Sequence, residues 1–146
     1  MREQEGVFCP WQCLRGDLQE ELTKRALPLL DGRDQIWAIQ SYLGMKIATF
    51  NISNVNKRVA DLLDWLRTAE PDVACLQELK ATDSEFPVAA IEKAGYGAVW
   101  RGQKSWNGVA ILARDCEPVV TRMALPGDTA DLQSRYIEAA VLRNPN

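Results

Sequence analysis

The stretch that most constrains this chain covers residues 45–80, MKIATFNISNVNKRVADLLDWLRTAEPDVACLQELK. Residues 46–52 are a short apolar run rich in β-formers, which predicts a strand buried on both faces. Asn51, Ser53, Asn54 and Asn56 crowd its exit, and such side chains bond local backbone in turns and helix N-caps. From Lys57 the period changes. Val59, Leu62, Leu63 and Leu66 fall at i, i+3, i+4 and i+7, one apolar face of a helix that Pro71 brings to an end. Residues 72–77 return to an apolar run, with Glu78 immediately after it. Strand, helix and strand within about 30 residues make a βαβ unit, whose parallel strands end at one edge. Asn51 and Glu78 are therefore expected as neighbours there, where open α/β sheets place their ligands.

Beyond Glu78, the loop LKATDSEFP leads into a second predicted helix over 87–94, with Pro87 in its first turn and Gly95 as its stop. Residues 96–101, 107–113, 117–123 and 136–142 read as strands, separated by polar loops at GQKSW and at 126–133. The change from βαβ to consecutive short strands predicts an α/β (α+β) fold, a mixed sheet with helices on one outer face. A chain of 146 residues that is 47% hydrophobic is long enough for one domain with a real core. Its net charge of −3 argues against a generally basic nucleic-acid binder, but not against a nuclease with local basic loops and an acidic metal site. No apolar run approaches the ~18 residues of a membrane span, and no secretory signal pattern opens the chain. A cytoplasmic protein with no membrane association is expected.

TFNISNVNKR, PDVACLQELK and GQKSWNGVAIL, in that order and spacing, resemble the opening half of exodeoxyribonuclease III, in the endonuclease/exonuclease/phosphatase superfamily. The resemblance covers residues 45–141. It implies the first half of a four-layer α/β/β/α sandwich, with one apolar sheet face lacking a partner from this sequence. It also implies a DNA-repair nuclease dependent on Mg2+ or Mn2+, acting on double-stranded DNA at 3′ ends or abasic sites.

Such chemistry makes demands on residue type. Phosphodiester cleavage needs charge stabilisation at the phosphate oxygens and a base for water. Magnesium takes hard oxygen ligands, often one or two carboxylates with waters and substrate phosphate. By resemblance Glu78 is the metal ligand, and Asn51 orients the catalytic groups and the metal environment. A solvated Glu at a strand end and an Asn bonding its own turn are the plainer readings of the same residues. Relatives carry Asn or Asp where this chain has Ser53, which predicts weakened or altered metal binding, because a hydroxyl brings no charge. Asn56, Lys57 and Arg58 correspond to a phosphate-contacting turn. In the GQKSWNG loop, Lys104 would meet phosphate, Trp106 would stack or wedge against sugar and base, and Asn107 would offer its amide to the DNA backbone. A solvated turn with a half-buried Trp is the alternative for that loop. Arg101, Arg114 and Arg122 add positive charge nearby, offset in part by Asp115 and Glu117.

The chain has no histidine, whereas the resembled family relies on one for hydrolysis. A truncated polypeptide with negligible nuclease activity alone is expected, with a missing C-terminal half as partner. Other readings are a non-catalytic DNA-binding or interaction fragment, a phosphoesterase of the same superfamily, and an unstable product without function. Residues 1–44 lie outside the resemblance, as an extension with one short helix over 17–30 or no order. Its Cys9 and Cys13 lack the partners of a zinc set, and Cys75 reads as a small buried apolar residue.

Overall fold

A computed structural model describes residues 6–7, 36–42, 45–128 and 130–142. The helix expected over 17–30 and the Cys9–Cys13 pair lie outside them. The strands are β1 (Gly6–Val7), β2 (Ile36–Tyr42), β3 (Met45–Asn51), β4 (Val73–Gln77), β5 (Tyr96–Arg101), β6 (Val109–Arg114), β7 (Val119–Arg122) and β8 (Glu138–Ala140). Two helices, α1 (Val59–Ala69) and α2 (Val88–Lys93), and a 3-10 turn at Asp83–Glu85 complete the described elements.

Five strands form one sheet in the order β2-β3-β4-β6-β5. β3 and β4 run parallel across α1, as the change of period requires, and the remaining neighbours are antiparallel. β4 and β6 lie at the centre, where both faces are covered, and this is why VACLQ is buried throughout and VAILAR at all but its last residue. Residues 36–42 add an edge strand beside β3, so part of the extension belongs to the sheet.

α1 buries Leu62, Trp65, Leu66 and Ala69, while Val59 and Leu63 are only half-buried. The buried stripe is thus rotated from the aliphatic one in the sequence, because Trp65 reaches Phe50 of β3 at a ring distance of 5.9 Å. A large aromatic offers more apolar area than Val59 or Leu63, so it sets the helix face. The helix ends at Glu70 in a left-handed cap, with its N–H on the Leu66 carbonyl. With α2, it covers one face of the sheet through Leu62, Leu66, Leu76, Ile91 and Leu112, all at most 1% exposed.

The opposite sheet face is where expectation needs correcting. The strands near 117–123 and 136–142 leave the main sheet and form a second, three-stranded one in the order β1-β8-β7. Ile137, Ala139 and Val141 at β8 pack on Met45, Val73, Cys75, Ile111 and Ala113. That face therefore has a partner from this sequence, and two sheets lie face to face with helices outside one of them. Within the second sheet β7 is exposed along its whole length.

At the N-terminal end of the parallel pair, Asp72 joins three strands. It accepts the Lys46 N–H (2.6 Å) and pairs with Arg114 Nη2 (2.5 Å). Tyr96 is buried beside this corner, its hydroxyl donating to the Pro71 carbonyl (3.0 Å) with the Leu66 carbonyl at 3.3 Å. Burial pushes its phenol up to about 12 from 10.0. The unfolded chain then loses this proton first, so stability falls as pH rises from about 10 to about 12, by about 1.4 kcal/mol per unit. Urea denaturation across that range should show the decline, reduced in Tyr96→Phe; an equal decline in both proteins assigns it elsewhere.

Candidate functional site

The parallel register sets Asn51 opposite Gln77, which places Glu78 one residue beyond it at the C-terminal edge. Asn51 and Glu78 are thus brought together as the βαβ unit requires. Pairing then continues past both strands. The N–H groups of Ile52, Asn54 and Val55 donate to the carbonyls of Gln77, Glu78 and Leu79, each at 3.0 Å. On the other side, the N–H groups of Leu79 and Lys80 donate to the carbonyls of Gly108 (3.1 Å) and Asn107 (3.0 Å). Residues 78–80 are therefore laced between the loop after β3 and the loop before β6, the two loops expected to face DNA.

Glu78 and Lys80 both adopt left-handed backbone, with φ of 52° and 50°. Such conformations cost of order 1 kcal/mol or more in non-glycine residues and persist where surrounding structure holds them. Here Leu79, fully buried between them, is the anchor. Glu78 and Lys80 emerge together, and Lys80 Nζ lies 3.2 Å from Glu78 Oε2. The same ammonium donates to Ser53 Oγ (3.2 Å) and sits 3.6 Å from the centroid of the Trp106 ring. Lys80 is thus the hub of the edge, joining Glu78, Ser53 and Trp106. Apolar periodicity carries no sign of it; only its place two residues after Glu78 could have drawn attention.

The remaining expected residues divide clearly. Asn51 Oδ1 accepts the Ser53 N–H (3.1 Å), and Asn54 Oδ1 accepts the Lys57 N–H (3.0 Å), so the plainer turn-forming role is filled. No side chain caps α1 at Arg58. Asn56 and Lys57 are exposed and Arg58 is half-buried, on the loop that continues from Val55. Trp106 is 70% exposed, so the half-buried alternative does not hold, and one face of its ring rests on Lys80. Lys104 is exposed, 3.8 Å from Glu85 Oε1. Glu85 is held below the usual carboxylate range by the Thr82 N–H and hydroxyl and then by Lys104. Asn107 Oδ1 accepts Arg135 Nε (2.8 Å).

The three other arginines lie apart from this edge or are committed. Arg114 pairs with Asp72 at the opposite end of β4, Arg122 lies 3.9 Å from Glu138 Oε2, and Arg101 donates to the Met123 carbonyl (2.6 Å). The charges of Arg114 and Arg122 are offset by carboxylates, whereas Arg101, opposite Val109 at the end of β5, donates to a neutral carbonyl and keeps its positive charge.

Glu78 is the carboxylate at this edge with chemistry to offer a metal. Among the described residues no group of three His, Cys, Asp or Glu side chains converges on a point. Glu78 suits a hydrated ion that takes a single carboxylate and fills its shell with water and substrate oxygens. It does not make a closed site, and Lys80 occupies the position beside the carboxylate that a cation would take.

Comparison with known proteins follows this geometry. The sequence pattern of the endonuclease/exonuclease/phosphatase family matches residues 48–141, well over half of the chain. The chain belongs to that family. It is 40% identical over 95 residues to exodeoxyribonuclease III of Haemophilus influenzae, covering 65% of this chain and 35% of that protein. Its fold matches the 3′-5′ exonuclease NExo from Neisseria meningitidis with a TM-score of 0.61 at 41% identity, over 65% of this chain and 37% of the other. A structure of NExo as a 3′ phosphatase, bound to product DNA hairpin, matches at 0.59 with 40% identity over the same shares. An AP endonuclease from Archaeoglobus fulgidus matches at 0.59 with 38% identity, over 65% of this chain and 36% of that one. The chain thus spans about a third of the length of the relatives it matches.

Proposed function

We propose that this chain carries the Glu78 edge and the DNA-facing loops of a DNA-repair nuclease of the exodeoxyribonuclease III type. The observation that carries this reading is the lacing of residues 78–80 between the Asn51–Arg58 loop and the Lys104–Asn107 loop. One strand end thereby holds a carboxylate, an exposed Trp and several cations, the combination a phosphodiester backbone with stacked bases calls for. The substrate would be double-stranded DNA with 3′ ends or abasic sites. Its recognition by Lys57, Lys104 and Trp106 would be largely sequence-independent.

Magnesium or manganese is the proposed cofactor, with Glu78 as its one protein carboxylate here. When bound, such an ion neutralises charge that develops on the phosphate oxygens. The chain's own residues supply binding and orientation. Asn51 shapes the turn that brings Ser53 to Lys80, and Lys80 holds Glu78 and supports Trp106. Each of these side chains thereby has a holding or binding role, and histidine is absent from the sequence. We therefore propose that the chain alone binds DNA without cleaving it.

The test is digestion of an abasic-site duplex by the purified chain with magnesium or manganese, beside Glu78→Ala, together with a binding titration over salt. Binding that weakens steeply with salt, without cleavage, is the expected result. Cleavage abolished in Glu78→Ala would show that the chain completes a catalytic site. Absence of binding at low salt would remove the DNA reading.

A further inference from the structure

We propose that the free edge of β5 is a pairing surface for a second copy of this chain, two β5 strands joining antiparallel about a two-fold axis. β5 pairs with β6 on one side only, and β7 with β8 on one side only, so each ends its sheet among the described residues. Such an edge presents a row of unpaired N–H and C=O groups, a template for another strand. β7 lies along β5. The chain at Cys116 and Glu117 crosses β5 at Gly97, where an added Cβ would lie 2.7 Å from Glu117 Oε2. At the far end of β5, Arg101 Nη1 donates to the Met123 carbonyl (2.6 Å).

Between the two edges runs an open groove of about 280 Å3, lined by Asp83, Ala98, Val99, Trp100, Val120 and Met123. Its walls are mostly apolar. Of the seven large apolar side chains exposed among the described residues, four, Val119, Val120, Met123 and Leu125, fall in this one run. Exposed apolar side chains gathered along unpaired backbone mark a surface that gains from being covered by an added strand.

Charge selects the occupant. Glu117 is exposed at the Gly97 end and forms no ion pair among the described residues, while Arg101 at the other end has a neutral carbonyl as its partner. Val99 packs on the inter-sheet core and Ala98 and Trp100 on the helix side, so Gly97, Val99 and Arg101 share the face beneath β7. An edge with one sign of charge at each end is complementary to itself only when reversed. Antiparallel pairing centred on Val99 sets Gly97 of one copy opposite Arg101 of the other. Each Glu117 then meets an Arg101, twice per interface by symmetry, and the pairs fix the register. On the helix side, Trp100 of each copy would cover Ala98 of the other. β5 runs in the same direction as β4, so reversed pairing sets the two Glu78 edges at opposite ends and leaves both uncovered. The pairing is therefore independent of the DNA reading.

The experiment is sedimentation velocity of the full chain over a concentration series, for wild type, Glu117→Arg, Arg101→Glu and an equimolar mixture of the two variants. Wild type should sediment as a monomer–dimer equilibrium. Each reversal alone sets like charges together at both ends of the interface and should raise the dissociation constant at least about tenfold. The mixture should recover a dimer, because the arginines of one variant then face the glutamates of the other. A folding fault in either variant cannot imitate that recovery. Wild type monomeric at every concentration overturns the proposal. So does a dimer that both reversals leave intact, which places the contact on another surface, and so does a mixture no more dimeric than its components. If Arg101→Glu melts early, Glu117→Arg decides: loss of the dimer with a wild-type melt supports the pairing, and a wild-type dimer overturns it.

Discussion

Gly108→Ala is expected to destabilise the protein by about 3 kcal/mol and to disturb both loops of the DNA-facing edge. Gly108 has φ +94°, and a Cβ there would lie 2.7 Å from Leu79 Cβ and 3.4 Å from Leu79 N. Leu79 is fully buried and cannot swing away. Left-handed backbone costs a non-glycine residue about 1 kcal/mol or more, and forcing an extra carbon into packed surroundings about 1–3 kcal/mol. Gly108 also accepts the Leu79 N–H and donates to Ser134, so relief of the clash must strain one of these bonds. Gly127 separates the two terms. Its φ is +83°, but a Cβ there meets nothing within 4 Å. Gly127→Ala should therefore cost only the backbone part. Equal losses for the two variants in chemical denaturation would mean that the contact with Leu79 contributes nothing.

Trp106→Ala should produce the reverse pattern, a large loss of DNA affinity with the fold unaffected. The ring is 70% exposed, with Lys80 Nζ 3.6 Å from its centroid. Removing an exposed ring with one cation contact should change stability by no more than about 0.5–1 kcal/mol. A base stacked on the free face is worth about 1–3 kcal/mol, a drop in affinity of roughly ten- to a hundredfold. Parallel thermal melts and anisotropy titrations would measure both. Unchanged affinity would limit Trp106 to covering Lys80, and a marked fall in melting temperature would make it part of the core.

The sequence was most legible where its apolar period changed. A strand-like run, a 3.6-residue stripe and a second run determine β3, α1 and β4, and a parallel pair must end on one edge. Asn51 and Glu78 followed from that constraint alone. Which face of α1 is buried did not follow, because Trp65 competes with Val59 and Leu63 and only the position of Phe50 decides between them.

Longer-range pairings were illegible for a different reason. Alternation marks 117–123 and 136–142 as strands but says nothing of which sheet they join, since either sheet would satisfy the same apolar residues. The packing of Ile137, Ala139 and Val141 on the back of β4 and β6 settles that. Polar contacts across distant segments leave even less trace. Lys80 could have been read as one more solvated lysine until its ammonium is seen between Glu78, Ser53 and Trp106. Arg101, Arg114 and Arg122 carry the same charge on paper, yet two of them meet carboxylates and Arg101 only a carbonyl.

The sequence by itself determined the βαβ unit, the edge at which Glu78 emerges and the loop that carries Lys104 and Trp106, because local periodicity and chain direction are enough for these. Tertiary structure decided which cations stay available at that edge and which are spent elsewhere. A charge is committed or free according to what folds next to it, and residues that meet across 27 to 31 positions leave no local pattern.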